Sequence, residues 1–159
     1  MLKPDSWILK FGICGGIAPF EEAQVNPASY DVRLDDTWVL PTGPDGKNLQ
    51  LKQNELTLYP GQVVLASTLE YVELPNDVCA DLKLKSTIGR SWITHALAGW
   101  IDCGFQGQIT LELQNIGPKP VVLTKGMRIG QLVFIQMEKA ATNPYKGKYQ
   151  GQKGATEPK

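Results

Sequence analysis

The sequence predicts an all-β domain, a sandwich or a barrel, that begins with one short helix. Short runs of β-branched or alternating apolar residues follow one another along most of the 159-residue chain, which is typical of half-buried strands. Clusters rich in Gly, Pro, Asn and Asp, such as "PTGPDGKN" and "YPGQ", separate these runs and favour tight turns. Helical periodicity is confined to the first residues and, weakly, to "KSTIGRSWI", so helices contribute little to the predicted fold.

The N-terminal helix is predicted from "DSWILKFG". Asp5 or Ser6 offers an N-cap, a short apolar-periodic turn follows, and Gly12 is the predicted stop. The predicted strands then follow in the order "SYDVRL", "TWVL", "LQLK", "ELTLY", "QVVLAS", "YVEL", "VCADLKL", "GQITLELQN", "PVVLT" and "RIGQLVFIQ".

The charge balance argues against a polyanionic partner. Sixteen basic and sixteen acidic residues cancel, so the chain lacks the positive field with which proteins neutralise nucleic-acid phosphates. No stretch is long and apolar enough to span a bilayer, and the first apolar run is too short and interrupted for a signal peptide. We therefore expect a cytoplasmic protein that binds neither nucleic acid nor a membrane.

The cysteines and the single histidine predict no metal centre. Cys14, Cys79 and Cys103 are odd in number and widely spaced, which suits reduced thiols in the cytoplasm. His95 has no second His or Cys at ligand spacing, so we expect a packed or hydrogen-bonded side chain and no zinc.

The C-terminal segment differs in composition from the rest. From Asn143 the chain reads "NPYKGKYQGQKGATEPK", rich in Gly, Lys, Gln and Tyr and without apolar periodicity. A frayed terminus and a flexible lid that closes on an anion both fit this composition. The predicted organisation is a β domain over residues 1–142 and a tail over residues 143–159.

Two polar stretches beside glycines are candidate sites. In "LKLKSTIGRS", hydroxyls and cations at the end of a strand can bind phosphate oxygens, although exposed cations around a helix cap fit the pattern as well. In "ALAGWIDCGFQG", the glycines permit a tight hairpin in which Asp102 could bind a sugar hydroxyl or orient a water. An aspartate that merely stabilises a turn is the alternative.

Glu112 is the third candidate. In "GQITLELQN" it lies on the opposite parity from Ile109, Leu111 and Leu113, so the strand would point those three side chains to the core and the carboxylate away from it. A solvent-facing glutamate on a half-buried strand explains the same pattern.

Taken together, these motifs resemble the dCTP deaminase and dUTPase superfamily, most closely its dCTP deaminase branch. The blocks that carry the resemblance cover most of the chain in order: "NPASYDVRL", "LYPGQVVLASTLEYVELPNDVCADLKLKSTIGR", "HALAGWIDCGFQGQITLELQN", "GMRIGQLVF" and "NPYKGKYQGQKGAT". The resemblance implies a β-sandwich of distorted jelly-roll type that assembles as a homotrimer, with active sites between subunits and a flexible tail that closes over the nucleotide.

The resemblance also implies roles for individual residues. Glu112 matches the catalytic glutamate, and Ser86 and Arg90 match the residues that complete the catalytic group. Matches to nucleotide-binding positions are Lys85, Ser86, Thr87, Ile88, Gly89, Arg90, Ala98, Asp102, Thr110, Leu111, Glu112, Gln131, Tyr145, Lys148 and Gln152.

Several positions depart from the family pattern. Lys85 stands where the deaminases typically have arginine, which exchanges a bidentate fork for a point charge. Leu97 and Cys103 stand where threonine and proline are usual, and Phe105 stands where dUTPases have a tyrosine.

The activity that the resemblance implies is deamination of dCTP to dUTP and ammonia without a protein-held metal, in pyrimidine deoxynucleotide metabolism. Mg²⁺ is expected to arrive bound to the triphosphate. A bifunctional enzyme that releases dUMP and pyrophosphate is an alternative, because "AGWIDCGFQGQITLEL" and "KYQGQKGAT" are most similar to those forms. A dUTP diphosphatase and a non-catalytic nucleotide sensor are further alternatives.

Overall fold

The computed structural model of the chain describes residues 1–41, 46–96 and 99–159. These described residues form two short α-helices, a π-helix at Gly12–Gly16, a 3₁₀-helix at Glu22–Gln24 and thirteen strands. Their bounds in chain order are α1 Asp5–Phe11, β1 Ile17–Ala18, β2 Val25–Asn26, β3 Ser29–Arg33, β4 Thr37–Pro41, β5 Asn48–Lys52, β6 Glu55–Leu58, β7 Val63–Glu73, β8 Val78–Leu84, α2 Ser86–Arg90, β9 Ile93–His95, β10 Trp100–Ile101, β11 Gln106–Asn115, β12 Val121–Thr124 and β13 Arg128–Gln136. None of the described helices is long and apolar enough to cross a membrane.

The strands form two main sheets and a small ribbon. One sheet has the order β5-β4-β7-β11-β9, with β1 also paired to β7, and the other has the order β10-β8-β13-β3-β2. Strands β12 and β6 pair separately. Every pairing between these strands is antiparallel, so the all-β prediction is confirmed.

Both main sheets contribute side chains to one hydrophobic core. Ala66 and Leu111 from the first sheet are fully buried, as are Val32, Leu132 and Phe134 from the second. Removal of such apolar surface from water stabilises the fold by about 25 cal/mol per Å². The side chains of β11 therefore alternate as predicted. Those of Ile109, Leu111 and Leu113 face the core, and that of Glu112 faces away from it.

Each predicted strand is present, but the shortest elements were missed. The runs "QVVLAS" and "YVEL" are parts of one long strand, β7. Strands β1, β2 and β10 have only two residues each and β9 has three, too few for alternation to be recognised in a sequence. The weak helical signal at "KSTIGR" corresponds to α2.

The N-terminal helix differs from its prediction at both ends. Pro4 is the N-cap residue and Asp5 already lies in the first turn. Gly12 does not stop the helix, because it keeps a right-handed helical conformation and the chain continues as a π-turn to Gly16. A Cβ atom at Gly12 would lie 2.1 Å from Cδ2 of Phe20, so this glycine is needed for close packing.

Candidate active site

Glu112 lies in the middle of β11, between two neighbouring strands. Its Cα faces Leu65 of β7, and on the other edge the Ala96 N–H donates a hydrogen bond to the Glu112 carbonyl at 2.9 Å. The side chain is half-buried and points away from the core. Among the residues that the structure describes, none forms a hydrogen bond or ion pair with the Glu112 carboxylate.

Glu112 lines two cavities. The first, which we call the Asp102 cavity, has a volume of about 310 Å³. Its lining includes both predicted acidic residues, several residues of the tail and four aromatic side chains. The predicted site residues that line it are Asp102, Thr110, Glu112, Tyr145 and Gln152, and the aromatic ones are Trp100, Phe105, Tyr145 and Tyr149.

Asp102 lies in a turn that joins the two sheets, so the predicted hairpin is wrong. Strand β10 pairs with β8 in one sheet, whereas β11 pairs with β7 and β9 in the other. The Asp102 carbonyl accepts a hydrogen bond from the Phe105 N–H at 3.2 Å, and the Trp100 indole N–H donates to the Asp102 carboxylate at 3.0 Å. The carboxylate is therefore held at the mouth of the cavity with one oxygen already bound.

The tail begins by packing on this turn. The Tyr145 N–H donates to the Cys103 carbonyl at 2.9 Å, and the rings of Tyr145 and Phe105 meet edge to face at 5.8 Å. Gly104 permits this approach: its φ is +80°, and a Cβ atom there would lie 2.7 Å from Cβ of Pro144. A glycine is thus required where the tail crosses the turn.

Further along, the tail runs beside β11 as an added strand segment. The Gly151 N–H donates to Gln106 O at 2.7 Å, and the Gln108 N–H donates to Gln152 O at 3.0 Å. The Thr156 N–H then reaches the Thr110 hydroxyl at 3.2 Å. The described tail is not a frayed terminus in this structure, because its backbone closes one side of the Asp102 cavity.

The second cavity, the His95 cavity, has a volume of about 490 Å³ and a mostly apolar lining. It contains His95 of β9 and Val39 of β4, and it shares Leu65, Glu112 and Pro158 with the Asp102 cavity. Burial lowers the pKa of His95, an effect that outweighs the opposing influence of the Glu112 charge. The predicted packing of His95 is confirmed, but its buried Nε2 has no hydrogen-bond partner among the described residues.

A separate polar group lies at the end of β8. Lys85 forms an ion pair with Asp31 at 2.8 Å, and the Gln131 side chain meets the Ser29 hydroxyl at 3.3 Å. Helix α2 follows Lys85 immediately and carries Ser86, Thr87, Gly89 and Arg90 on its exposed side, whereas Ile88 is buried. At Ile88, therefore, the backbone is accessible to a ligand but the side chain is not.

The remaining predicted residues lie outside these two groups or contribute only their main chain. The Leu111 side chain is fully buried, so only its main chain can face the Asp102 cavity. The Lys148 ammonium lies 5.2 Å above the Tyr149 ring and donates a hydrogen bond to the Lys159 carbonyl. Ala98 lies outside the described residues.

The predicted catalytic trio does not come together within one chain. Neither cavity that contains Glu112 is lined by Ser86 or Arg90, and both of these residues are exposed. Five predicted residues share the Asp102 cavity, while the 85–90 stretch and Gln131 form the second group. Tyr149 and Thr156 of the C-terminal motif also line the Asp102 cavity, although the sequence assigned them no role. Trp100 lines it as well, two residues before Asp102 in the same motif.

Two solved structures share the fold of this chain. The chain has a TM-score of 0.50 with the native dUTPase of EIAV, at 17% identity over 76% of this chain and 97% of that one. It has a TM-score of 0.53 with the dUTPase of Staphylococcus bacteriophage 80alpha, at 15% identity over 77% of this chain and 84% of that one. Both likenesses identify the architecture as the dUTPase fold.

The particular family follows from the closer comparisons. The family model described as dCTP deaminase-like matches residues 10–137, and the chain belongs to that family. It is 43% identical to the protein of Rhodococcus erythropolis named "dCTP deaminase, dUMP-forming", covering 89% of this chain and 85% of the relative. A protein of the same name from Persephonella marina is 42% identical, over 88% and 85%.

A solved structure of the same family agrees. The 2'-deoxycytidine 5'-triphosphate deaminase of Agrobacterium tumefaciens has a TM-score of 0.69 and 26% identity over 84% of this chain. The match spans about half of that longer chain, 47%. The resemblance inferred from the motifs is therefore confirmed at the level of family and fold.

Proposed function

We propose that the chain deaminates dCTP hydrolytically to dUTP and ammonia, with Glu112 as general base and general acid. The observation that carries this proposal is the Glu112 carboxylate, unpaired among the described residues and directed into the Asp102 cavity of a chain in the dCTP deaminase-like family. An unpaired carboxylate in a cleft can accept and return a proton without first breaking an ion pair.

The proton movements are balanced by one carboxyl group. The Glu112 carboxylate removes a proton from water as the oxygen attacks C4 of cytosine, and the proton passes to N3 of the ring. Glu112 then moves the proton of the new hydroxyl to the amino group, so that the C4 carbonyl forms as ammonia leaves. Positioned proton transfer of this kind contributes about a hundred- to ten-thousand-fold to a rate.

Ser86 and Arg90 complete this group from a neighbouring subunit of a homotrimer. Their exposure on α2 and their absence from both Glu112 cavities support this assignment. The Ser86 hydroxyl would hold the attacking water or the amino group, and the Arg90 guanidinium would stabilise the anionic form of Glu112.

The nucleotide lies along β11 and the tail. The backbone of Thr110 and Leu111 faces the base, Asp102 binds the deoxyribose hydroxyl, and Tyr145, Lys148 and Gln152 hold the closed tail and the phosphates. Among the described residues, no three His, Cys, Asp or Glu side chains come together as a metal cage. We propose that Mg²⁺ enters with the triphosphate and binds mainly to phosphate oxygens and waters.

A second candidate function is release of dUMP. It is favoured by the relatives, whose names specify dUMP formation, and by the hydrogen bond that fixes Asp102. In this second step Asp102 activates a water that attacks the α-phosphorus of dUTP, and pyrophosphate leaves. The same bound nucleotide would undergo both reactions.

The test is to incubate the protein with dCTP and Mg²⁺ and to separate the products. Ammonia with dUTP supports deamination alone, and ammonia with dUMP and pyrophosphate supports the second candidate. Glu112→Gln should lower ammonia release by at least about a hundredfold, while Glu55→Gln, a change at an exposed strand glutamate, should leave it unchanged.

Two results would contradict the proposal. Unchanged dCTP with hydrolysed dUTP identifies a dUTP diphosphatase, and tight nucleotide binding without turnover identifies a sensor. Normal ammonia release by a folded Glu112→Gln protein would remove Glu112 from the mechanism.

A further inference from the structure

Asp31 is a buried carboxylate that holds two cations. It lies on β3, opposite Gln131 of β13, and its side chain is only 2% exposed. Both carboxylate oxygens accept hydrogen bonds from the Lys85 ammonium at 2.8 Å. The Asn26 amide donates to one of them at 2.8 Å, and Nη1 of Arg128 lies 3.5 Å from the other.

The three charged side chains lie at increasing exposure, from the interior to the surface. Side-chain exposure rises from 2% at Asp31 to 29% at Lys85 and 46% at Arg128. One carboxylate does not neutralise two cations, so the group presents an uncompensated positive charge to solvent. A buried carboxylate beneath outward-facing cations is an arrangement that attracts and orients an anion.

The surroundings of this group point toward the nucleotide site. The Lys85 N–H donates to Ile129 O at 3.0 Å, which ties the end of β8 to β13 just before α2. Gln131 lies on the same strand as Arg128. Asp31 thus lies beneath residues that match phosphate-binding positions of the family, although it carries no such assignment itself.

We infer that Asp31 is a positioning residue and Arg128 a binding residue of an anchor for the phosphate chain of a nucleoside triphosphate. This inference rests on the proposed function. A lysine side chain is flexible, and the two hydrogen bonds to Asp31 fix its ammonium and leave the third N–H for a phosphate oxygen. Arg128 adds guanidinium donors that do not face Asp31.

The test uses inorganic tripolyphosphate, whose binding requires no turnover. Asp31→Asn should raise the Kd for tripolyphosphate and the KM for dCTP in parallel by about tenfold, with kcat within about twofold. Arg128→Gln, a change at a half-exposed side chain, should weaken binding and reduce its dependence on salt. Asp36→Asn breaks a comparable pair, with Lys125 at 2.8 Å, and should change none of these quantities.

Three outcomes would overturn the inference: unchanged or tighter tripolyphosphate binding by Asp31→Asn, unchanged binding by Arg128→Gln, or no binding by the unaltered protein. A fall in kcat alone after Asp31→Asn would equally contradict a phosphate anchor. Failure of the proposed function looks different, because the unaltered protein would then bind tripolyphosphate in an Arg128-dependent manner without releasing ammonia from dCTP.

Discussion

At the scale of single residues, Glu112 and His95 are coupled through the cavity that they share. His95 stands opposite Leu113, the residue after Glu112, and the Glu112 charge raises the His95 pKa while burial lowers it further. The result is an imidazole whose pKa lies below its ordinary value of about 6.5. If the Glu112 charge is removed, burial should therefore lower the His95 pKa without opposition.

We expect the His95 pKa to fall further in Glu112→Gln. Because the chain has one histidine, its ring signals in a proton NMR titration are unambiguous. Glu55→Gln is the control, since Glu55 does not contribute to the His95 pKa. An unchanged or raised pKa in Glu112→Gln would show that the two groups do not interact.

The same shift sets the sign of a pH effect on stability. Between the lowered pKa of the folded protein and about 6.5, the unfolded chain binds more protons at this histidine than the folded one. The contribution of His95 to the free energy of unfolding is therefore lost as pH falls through this window.

At the scale of structural elements, the tail and the turn that bears Asp102 form one unit. The tail crosses the turn at Gly104 and then pairs with the start of β11. Closure of a substrate site by a paired segment of low intrinsic stability is a common way to admit and then enclose a ligand. The opening of this tail stays a prediction.

Gly104→Ala tests whether the docked tail supports nucleotide binding. A Cβ atom at this positive φ adds strain of about 1–3 kcal/mol and also meets Pro144, so we expect lower dCTP affinity as well as a lower Tm. Gly126→Ala is the matched control, because Gly126 has φ +82° but nothing within 4 Å of the added atom. Its effect should be confined to Tm.

Truncation after Asn143 completes this comparison. The truncated protein should bind dCTP at least about tenfold more weakly while its Tm changes little, since most of the core lies in the sheets. In the truncated background, Gly104→Ala should no longer lower dCTP affinity more than Gly126→Ala does. Equal losses of affinity and stability on truncation would identify a structural tail.

At the scale of the whole molecule, the proposed catalytic group is not assembled within one chain. Glu112 lines its cavities without Ser86 or Arg90, which lie exposed on α2. A cyclic trimer could bring α2 of one subunit to the Glu112 face of the next, because such an interface joins two different surfaces. The homotrimer remains a prediction from family resemblance.

Subunit complementation tests this arrangement. Glu112→Gln and Ser86→Ala proteins should each be inactive, but a mixture refolded together should recover about a quarter of the sites. In that mixture, an intact Glu112 meets an intact Ser86 across some interfaces. The activity and the mass of the mixed oligomer are the measurements, and no recovery from a mixed trimer would place the trio within one subunit.

The strand order along the chain was predictable because it depends on local information. Alternation in β11 and β13 and the turn residues between the strands gave their positions without knowledge of the pairing. The two-residue strands and the switch between sheets at Asp102 were not predictable, since they arise from partners distant in sequence. For the same reason, a hairpin was wrongly expected there.

By itself, the sequence determined the all-β class, the family and the parity of Glu112, because periodicity and motif spacing are properties of consecutive residues. Only the tertiary structure decided that Asp102, Thr110, Glu112 and the tail share a cavity. It also decided that Lys85 is bound to Asp31, and that neither residue lines a cavity that contains Glu112. Such contacts join residues far apart in the chain, and the packing of two sheets around one core brings them together.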